Sequence, residues 1–547
     1  LGDNHPHVLA LPFTLLTMAL SLNLLNSRIV LNPADEQEKQ WWDFNDILPG
    51  KWLSFILYAV ILGALGFLNT WDFPIYLGIA VLAYGIGNFY VTGYISARHV
   101  LQSVMLGGCL LIAAMLAYVF FYISFSSQAG GLLPHLLLPT RLPQYLMMFG
   151  PFIFIMAFYL IVQIYDRKWP VPRNMIFRLV GRWWRLVIFC GIGLFLLSIT
   201  VLLYHDAGRQ LFQQMTGNIT ISQRLGIMLM ARIRDPWLFL TLTGLIALVL
   251  VNINLDTSTS NKTNMYEKSD IPFRRLMGGN LFTLLLIFVG LALTLSVEFV
   301  YIKDNFGVRM NTVFKFYYQA WVMFACASAY SVWWMMNNAK SVLSATGRWM
   351  FLIGASILVG AGMAYPMLAS YSRTHGFQND PNLNGAIHIA RENPDDWAAI
   401  EWLRNRTQMW PPLIILEAPG KSYNYEGRIS AFTGLPAVLG WSLHEGQWRG
   451  NYDEQSRREP DIVEIYRAHE GKKALELLHK WQVNYVIVGP PERRYIEQLC
   501  RGPDGTDRFC VPEKALDKFD ALLEPVFTQG QTTIYRVPAE LAKSDAR

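Results

Sequence analysis

At 547 residues, with 53% hydrophobic content, 16% charged residues and a mean hydropathy of +0.26, the chain is too apolar for an ordinary soluble protein. It reads as a polytopic membrane protein. The net charge of +6 does not mark a nucleic-acid partner, because much of the Lys and Arg lies in loops beside apolar runs, where the positive-inside bias accounts for it.

The chain opens Leu1-Gly2-Asp3-Asn4-His5-Pro6-His7, with neither an initiator Met nor a signal-peptide pattern, so it is expected to begin inside a longer protein and to lack an N-terminal segment or partner. Apolar runs of span length follow near 8–27, 52–69, 74–94, 101–124, 145–165, 184–205, 236–254, 279–299, 312–336 and 348–370, which predicts about ten transmembrane helices. Only a short turn, Asn69-Thr70-Trp71-Asp72-Phe73-Pro74, joins the second and third, and Pro74 is suited to open the next helix. Asp72 is therefore expected at or just outside membrane depth.

Arg167, Lys168, Arg173, Arg178, Arg182 and Arg185 fix 166–185 as cytoplasmic. Alternation then places 252–275 and the loop with Lys340 and Arg348 on the same side. The outer face receives 1–7, 69–74, 125–144, 206–235, 300–311 and everything after 371. The loop 206–235 carries Arg209, Arg224, Arg232 and Arg234 against this bias, and its 221–233 stretch reads as an interfacial helix.

From about Gly376 the composition becomes that of a soluble domain. Helical spacing at 395–408, 468–481 and 491–499, strands at 413–417 and 483–489, and a hairpin at 526–537 around Gln529-Gly530 predict a small α/β sandwich. The predicted fold is thus a mostly α polytopic bundle, 1–375, followed by an extracytoplasmic α/β domain, 376–547. Cys109, Cys190 and Cys326 fall in apolar spans and act as small hydrophobes. Cys500 and Cys510 flank a turn-rich loop that a disulfide would close in an oxidising compartment.

Four short polar words carry the candidate chemistry. Asp3, His5 and His7 suit a divalent metal, magnesium or manganese, or a diphosphate; equally, they suit a cap for the helix beginning at Val8. Asp72, among aromatics, suits a general base or a helix cap. The stretch from Glu298 to Trp321 contains Glu298, Asp304, Arg309, Asn311, Lys315, Tyr317 and Tyr318. Each charge at a bilayer centre costs roughly 2.5 to 3.5 kcal/mol, so these groups are expected to line a wet, protein-walled cavity or to pair among themselves. Arg309 and Lys315 offer a fork and a point charge to phosphate. A chain break near Arg309 would help them converge. Trp441, His444, Glu445, Trp448 and Arg449 lie in a Gly- and Pro-bearing stretch that reads as an irregular loop, either facing carbohydrate or plugging the domain onto the membrane. No nucleotide-binding glycine loop, nucleophile elbow, zincin motif or CxxC pair is present.

With these words in order, from Gly2-Asp3-x-His5-Pro6-His7 through Arg309 to Trp321 and on to Trp448-Arg449-Gly450, the chain resembles the Chlor-Arch YYY membrane proteins, a domain-of-unknown-function group. The triple tyrosine of that name does not occur here. That group in turn resembles the GT-C glycosyltransferases, which implies a helical bundle, an outward cavity, a polyprenyl-phosphate-linked sugar donor and an outer C-terminal domain. An acid on the first outward loop serves that class as base or metal partner; a loop upstream of this sequence would carry it, leaving Asp3 as a second-motif residue. The resemblance implies glycosyl transfer, with Arg309 and Lys315 on the leaving phosphate, Asp72 or Glu298 as base, and the Trp441–Arg449 stretch on the acceptor. The alternative is a non-catalytic scaffold, a subunit of a membrane assembly, or a carrier of lipid-linked substrates.

Overall fold

The computed structural model describes residues 5–30, 52–92, 94–125, 130–135, 138–166, 172–204, 221–258, 271–303, 308–378, 382–406, 412–501 and 510–539. Two compact units divide the chain, the first running to Gly376 and the second starting at Phe377.

In the first unit the helices are α1 (Pro6–Val30), α2 (Trp52–Leu68), α3 (Asp72–Thr92), α4 (Ala97–Ala117), the short α5 (Val119–Ser124), α6 (Leu142–Tyr165), α7 (Arg173–Tyr204), α8 (Ile221–Arg234), α9 (Trp237–Ser258), α10 (Ile271–Ser296), α11 (Met310–Asn337) and α12 (Ala345–Arg373). A long helix stands at each of the ten predicted spans. Eight are long and apolar enough to cross a membrane, and α2 is a shorter apolar helix. α11 is long enough but falls outside that set, because Lys315, Gln319 and neighbouring polar residues interrupt its apolar surface. α8 stands where an interfacial helix was expected.

The core of this unit runs through α1, α3, α6, α10 and α11, with Tyr76, Tyr84, Tyr145, Phe149 and Phe324 fully buried. α1 packs on α2, α3 and α10, and α10 also packs on α9 and α11. Gly290 lets α10 and α11 approach closely, since a Cβ there would lie 2.4 Å from the Phe324 ring. By contrast α7 and α12 bury only 11% of their apolar windows. Their exposed Phe, Leu, Ile and Met side chains suit a lipid environment, where burial against protein is not needed to hide apolar surface.

Two short strands, β1 (Leu132–Pro134) and β2 (Val300–Ile302), pair antiparallel, joining loops far apart in the chain. Three-residue strands carry no readable alternation, so along the sequence both regions read as loop.

The second unit contains α13 (Ile387–Glu392), α14 (Pro394–Arg404), β3 (Ile415–Leu416), α15 (Arg428–Thr433), α16 (Ser442–Arg449), α17 (Asp453–Arg467), α18 (Gly471–Lys480), β4 (Tyr485–Val488), α19 (Pro490–Cys500), α20 (Pro512–Leu522), β5 (Glu524–Gln529) and β6 (Thr532–Arg536). The sheet order is β3-β4-β6-β5, with β3 and β4 parallel and the other pairs antiparallel. Period-two alternation splits β4 between two cores. Tyr485 and Ile487 pack with Ile389, Ile400 and Ile429. Val486 and Val488 pack with Ile462, Leu478, Ile496 and Phe519. Helices thus cover both faces, and the predicted α/β sandwich is three layers deep. Gly530, at φ 52°, makes the β5–β6 turn.

Cys500 and Cys510 are disulfide-bonded, 10 residues apart. A loop of that length stabilises the folded unit by about 2 to 3 kcal/mol through restriction of the unfolded chain. Cys510→Ser is therefore expected to lower the melting temperature of the full-length protein and to abolish its sensitivity to dithiothreitol. Equal melts for variant and parent under oxidising conditions would refute this.

Candidate functional site

One end of the bundle collects the starts of α1, α3, α6 and α11 and the end of α10. Two polar clusters occupy it, and α11 contributes to both.

The first cluster centres on Asp72, which is 1% exposed. Its Oδ1 accepts hydrogen bonds from Asn69 Nδ2 at 2.9 Å and Gln319 Nε2 at 2.7 Å. Tyr76 in turn donates to Gln319 Oε1 at 2.6 Å. The other oxygen, Oδ2, is buried with no hydrogen-bond partner. Both carboxylate bonds come from side chains rather than from helix N–H groups, so Asp72 is not a helix cap. Lys315, whose Nζ lies 4.6 Å from the centre of the Trp71 ring, is close enough for its charge to act on both Asp72 and His7.

His5 and His7 complete this cluster. Their Nδ1 atoms are 3.1 Å apart, and both rings pack edge-on against Phe314, His7 also against Tyr318. His7 Nε2 is buried without a partner. Asp3, expected as the third metal ligand, lies outside the described residues, and among the described residues no group of three metal-binding side chains forms. The two nitrogens bond to each other here, and at this spacing they suit neighbouring positions on an ion that favours nitrogen; magnesium and manganese, which favour oxygen, fit them poorly.

The second cluster is an ion network around Glu298. Thr140 donates to it from its backbone N at 3.1 Å and its Oγ1 at 2.6 Å. Arg309 Nη1 reaches Glu298 Oε1 at 2.8 Å, and Arg232 Nη1 reaches Oε2 at 3.3 Å. Arg232 Nη2 also bonds the Glu298 carbonyl and, at 3.0 Å, that of His135. Arg309 has further bonds to the carbonyls of Val297 and Leu138 and to Thr140 Oγ1. Burial pushes the Glu298 carboxyl up, but the Arg309 charge and the Thr140 and Arg309 hydrogen bonds outweigh it and hold it below the usual range. His135 is pushed down to about 4 by burial and then by the Arg309 charge, so it is neutral and donates from Nε2 to Leu138 O at 2.9 Å.

This arrangement corrects two expectations. Glu298 is a poor base, since both its oxygens already accept from cations and Thr140. Arg309 is spent on Glu298 and backbone carbonyls, so it does not converge with Lys315 on a phosphate. The pair braces the β1–β2 loops instead. Tyr317 is buried against Tyr145 and Phe149 and belongs to helix packing, not to a binding surface. Tyr318 stands at the Asp72 cluster with His7. Asn311 is half-buried in the first turn of α11, and Asp304 lies outside the described residues.

In the second unit the stretch from Phe432 to Gly450, expected as an irregular loop, is irregular over 434–441 and then forms the regular helix α16, capped by Gly450 in the left-handed region. Gly446 sits mid-helix because Tyr452 occupies its Cβ position, 2.4 Å away. Trp441, His444 and Trp448 form an aromatic group with Tyr423, a residue the sequence reading did not single out. Glu445 Oε1 accepts from Gly440 N at 2.8 Å, and its Oε2 lies 3.5 Å from Arg449.

The sequence reading also missed a fully buried network beyond the carboxyl ends of β3 and β4, where open α/β sheets ordinarily bind ligands. Arg428 fills it. Its Nε is 2.6 Å from Asp396 Oδ2, its Nη1 and Nη2 are each 3.0 Å from Glu492, and Glu417 Oε2 is 3.7 Å away. Tyr425 and Thr532 also donate to Asp396. Burial pushes Glu417 above the usual carboxyl range, against the Arg428 charge. At Asp396 burial pushes the same way, but the Arg428 hydrogen bonds and charge outweigh it and hold the group low.

A bundle of apolar helices with a buried polar end, followed by a three-layer α/β unit, defines a multi-pass integral membrane protein. A family model described as "Uncharacterized membrane protein (DUF2298)" matches residues 1–324, more than half of the chain. The chain belongs to that family, in line with the resemblance its polar words suggested. No curated protein matches it. Among solved structures, the C-terminal globular domain of oligosaccharyltransferase from Archaeoglobus fulgidus is similar to 26% of this chain and 96% of its own, at 15% identity and a TM-score of 0.18. At that score the likeness carries no further weight.

Proposed function

We propose that the membrane unit transfers a glycosyl group from a polyprenyl-phosphate-linked donor to an acceptor outside the cytoplasm. The observation that carries this reading is the unpartnered Oδ2 of buried Asp72 beside Lys315. A buried oxygen without a donor is costly, about 1 to 3 kcal/mol, and calls for a purpose.

In the transfer, the acceptor hydroxyl oxygen attacks the anomeric carbon while Asp72 Oδ2 takes the hydroxyl proton. The anomeric carbon–oxygen bond to phosphate breaks, its electron pair stays on the leaving phosphate, and Lys315 meets that charge. His5 and His7 lie beside Lys315 and would hold a nitrogen-accepting divalent ion, which supplies positive charge at the donor phosphate. The disulfide of the C-terminal unit supports an oxidising, extracytoplasmic location for that unit. Trp441, His444, Glu445, Trp448 and Arg449 are assigned to the acceptor.

Protein in nanodiscs, supplied with polyprenyl-phosphate-linked mannose or glucose, is expected to release polyprenyl phosphate. Lys315→Met should slow release by about 100- to 1,000-fold, the usual cost of losing one electrostatic stabiliser. Release that is absent in the parent, or unchanged in the variant, would sink the proposal.

A further inference from the structure

The rings around His444 are arranged more specifically than a general acceptor contact requires. The Trp441 indole rests over Gly427, whose Cβ position would lie 3.2 Å from Nε1, and donates to the Glu426 carbonyl. His444 stands edge-on to Trp441 and Tyr423, with ring centres 5.6 and 5.3 Å away and interplanar angles of 88° and 84°. One helical turn on, Trp448 donates from Nε1 to His444 Nε2 at 2.8 Å. An indole nitrogen only donates, so Nε2 is the acceptor and the imidazole proton sits on Nδ1. That Nδ1 is buried with no partner, leaving the ring one hydrogen bond short.

Two of the four rings pack on the others by one side and leave most of their surface to solvent. Trp448 is 68% exposed and Tyr423 is 76% exposed. Tyr423 also holds φ at 66°, a left-handed conformation that costs a bulky residue of order 1 to 3 kcal/mol. Strain on an exposed aromatic, next to an unmet donor, marks a binding surface rather than a packing solution.

We infer that Tyr423, Trp441, His444 and Trp448 form a pyranose-binding subsite, so that the acceptor of the proposed transfer is itself a saccharide; this rests on that proposal for its role, though not for its binding. A pyranose presents C–H faces to the exposed Tyr423 and Trp448 rings and hydroxyls to its edges. Arg449 lies at the rim, and the buried His444 Nδ1 would reach a hydroxyl oxygen only if the ring turned outward on binding and gave up its Trp448 bond. A purely apolar partner would instead strand His444 and the Glu445–Arg449 pair without water, a loss that hydroxyls avoid.

The test is saturation-transfer NMR on full-length protein in nanodiscs with maltohexaose, chitohexaose and mannohexaose as probes. At least one should show a saturable signal on its ring C–H protons at millimolar concentration. Trp448→Ala and Tyr423→Gly should each reduce it at least fivefold. Glycine suits the left-handed backbone at position 423, so that variant keeps its fold. No signal from any of the three sugars, or equal signals in both variants, overturns the inference; a protein-docking or membrane-anchoring role for these rings would give that result. Polyprenyl-phosphate release without a sugar signal removes this subsite and leaves the transfer standing. A sugar signal without release does the reverse.

Discussion

Asp72→Asn should reduce release of polyprenyl phosphate by about 100- to 10,000-fold, the range expected when a positioned general base is lost, and should leave the melting temperature unchanged. The second half of that expectation follows from the bonding. Asparagine keeps the Oδ1 acceptor that Asn69 and Gln319 use, and it alters only the oxygen that has no partner. A structural carboxylate would behave in the opposite way, losing stability with the charge while leaving any turnover intact. Measuring both quantities on one preparation separates the two. A large drop in melting temperature with unchanged release would return Asp72 to the scaffold.

Arg428→Met should cost the C-terminal unit about 3 to 5 kcal/mol, because it leaves buried carboxylates without their counter-charge. Asp396, Glu417 and Glu492 are each at most 2% exposed, so solvent screens them little. The pH dependence gives a sharper signature. In the parent, Asp396 is held low, so its contribution is present above the ordinary carboxylate range and lost as pH falls through its folded pKa. Glu417 is raised, so its contribution is present in acid and lost as pH rises through its folded pKa. Stability is eroded from both sides. Without Arg428 the Asp396 carboxyl moves up as well, so the variant should gain more stability on acidification from neutral pH than the parent, in which only Glu417 contributes in that direction. Limited proteolysis of the second unit against pH reads this directly. Parallel profiles for parent and variant would rule out Arg428 as the compensating charge.

Much of the architecture was legible along the chain, since a bilayer demands long apolar runs and a sandwich demands alternating ones. The ten long helices, β4 and the β5–β6 hairpin all stand where periodicity placed them. The glycines and proline of 432–450 suggested a loop throughout, which holds over 434–441 but not beyond. Gly440 and Gly450 bracket a helix instead, and Gly446 is accommodated by the Tyr452 ring. Signals of that kind depend on what packs against a residue, which spacing does not reveal.

Composition and hydropathy alone determined that this is a multi-pass membrane protein with an α/β unit after it, because hiding apolar surface is a property of each segment by itself. Which polar groups are available and which are consumed was decided only in three dimensions. Glu298 and Arg309 looked like a base and a phosphate ligand, yet Thr140 and Arg232, 158 and 66 residues from Glu298, complete a closed ion network with them. Asp72 draws a donor from Gln319, 247 residues away, and still keeps one oxygen unpartnered. A charge's role depends on how its hydrogen-bonding capacity is filled, and folding fills it with partners that are remote in the chain.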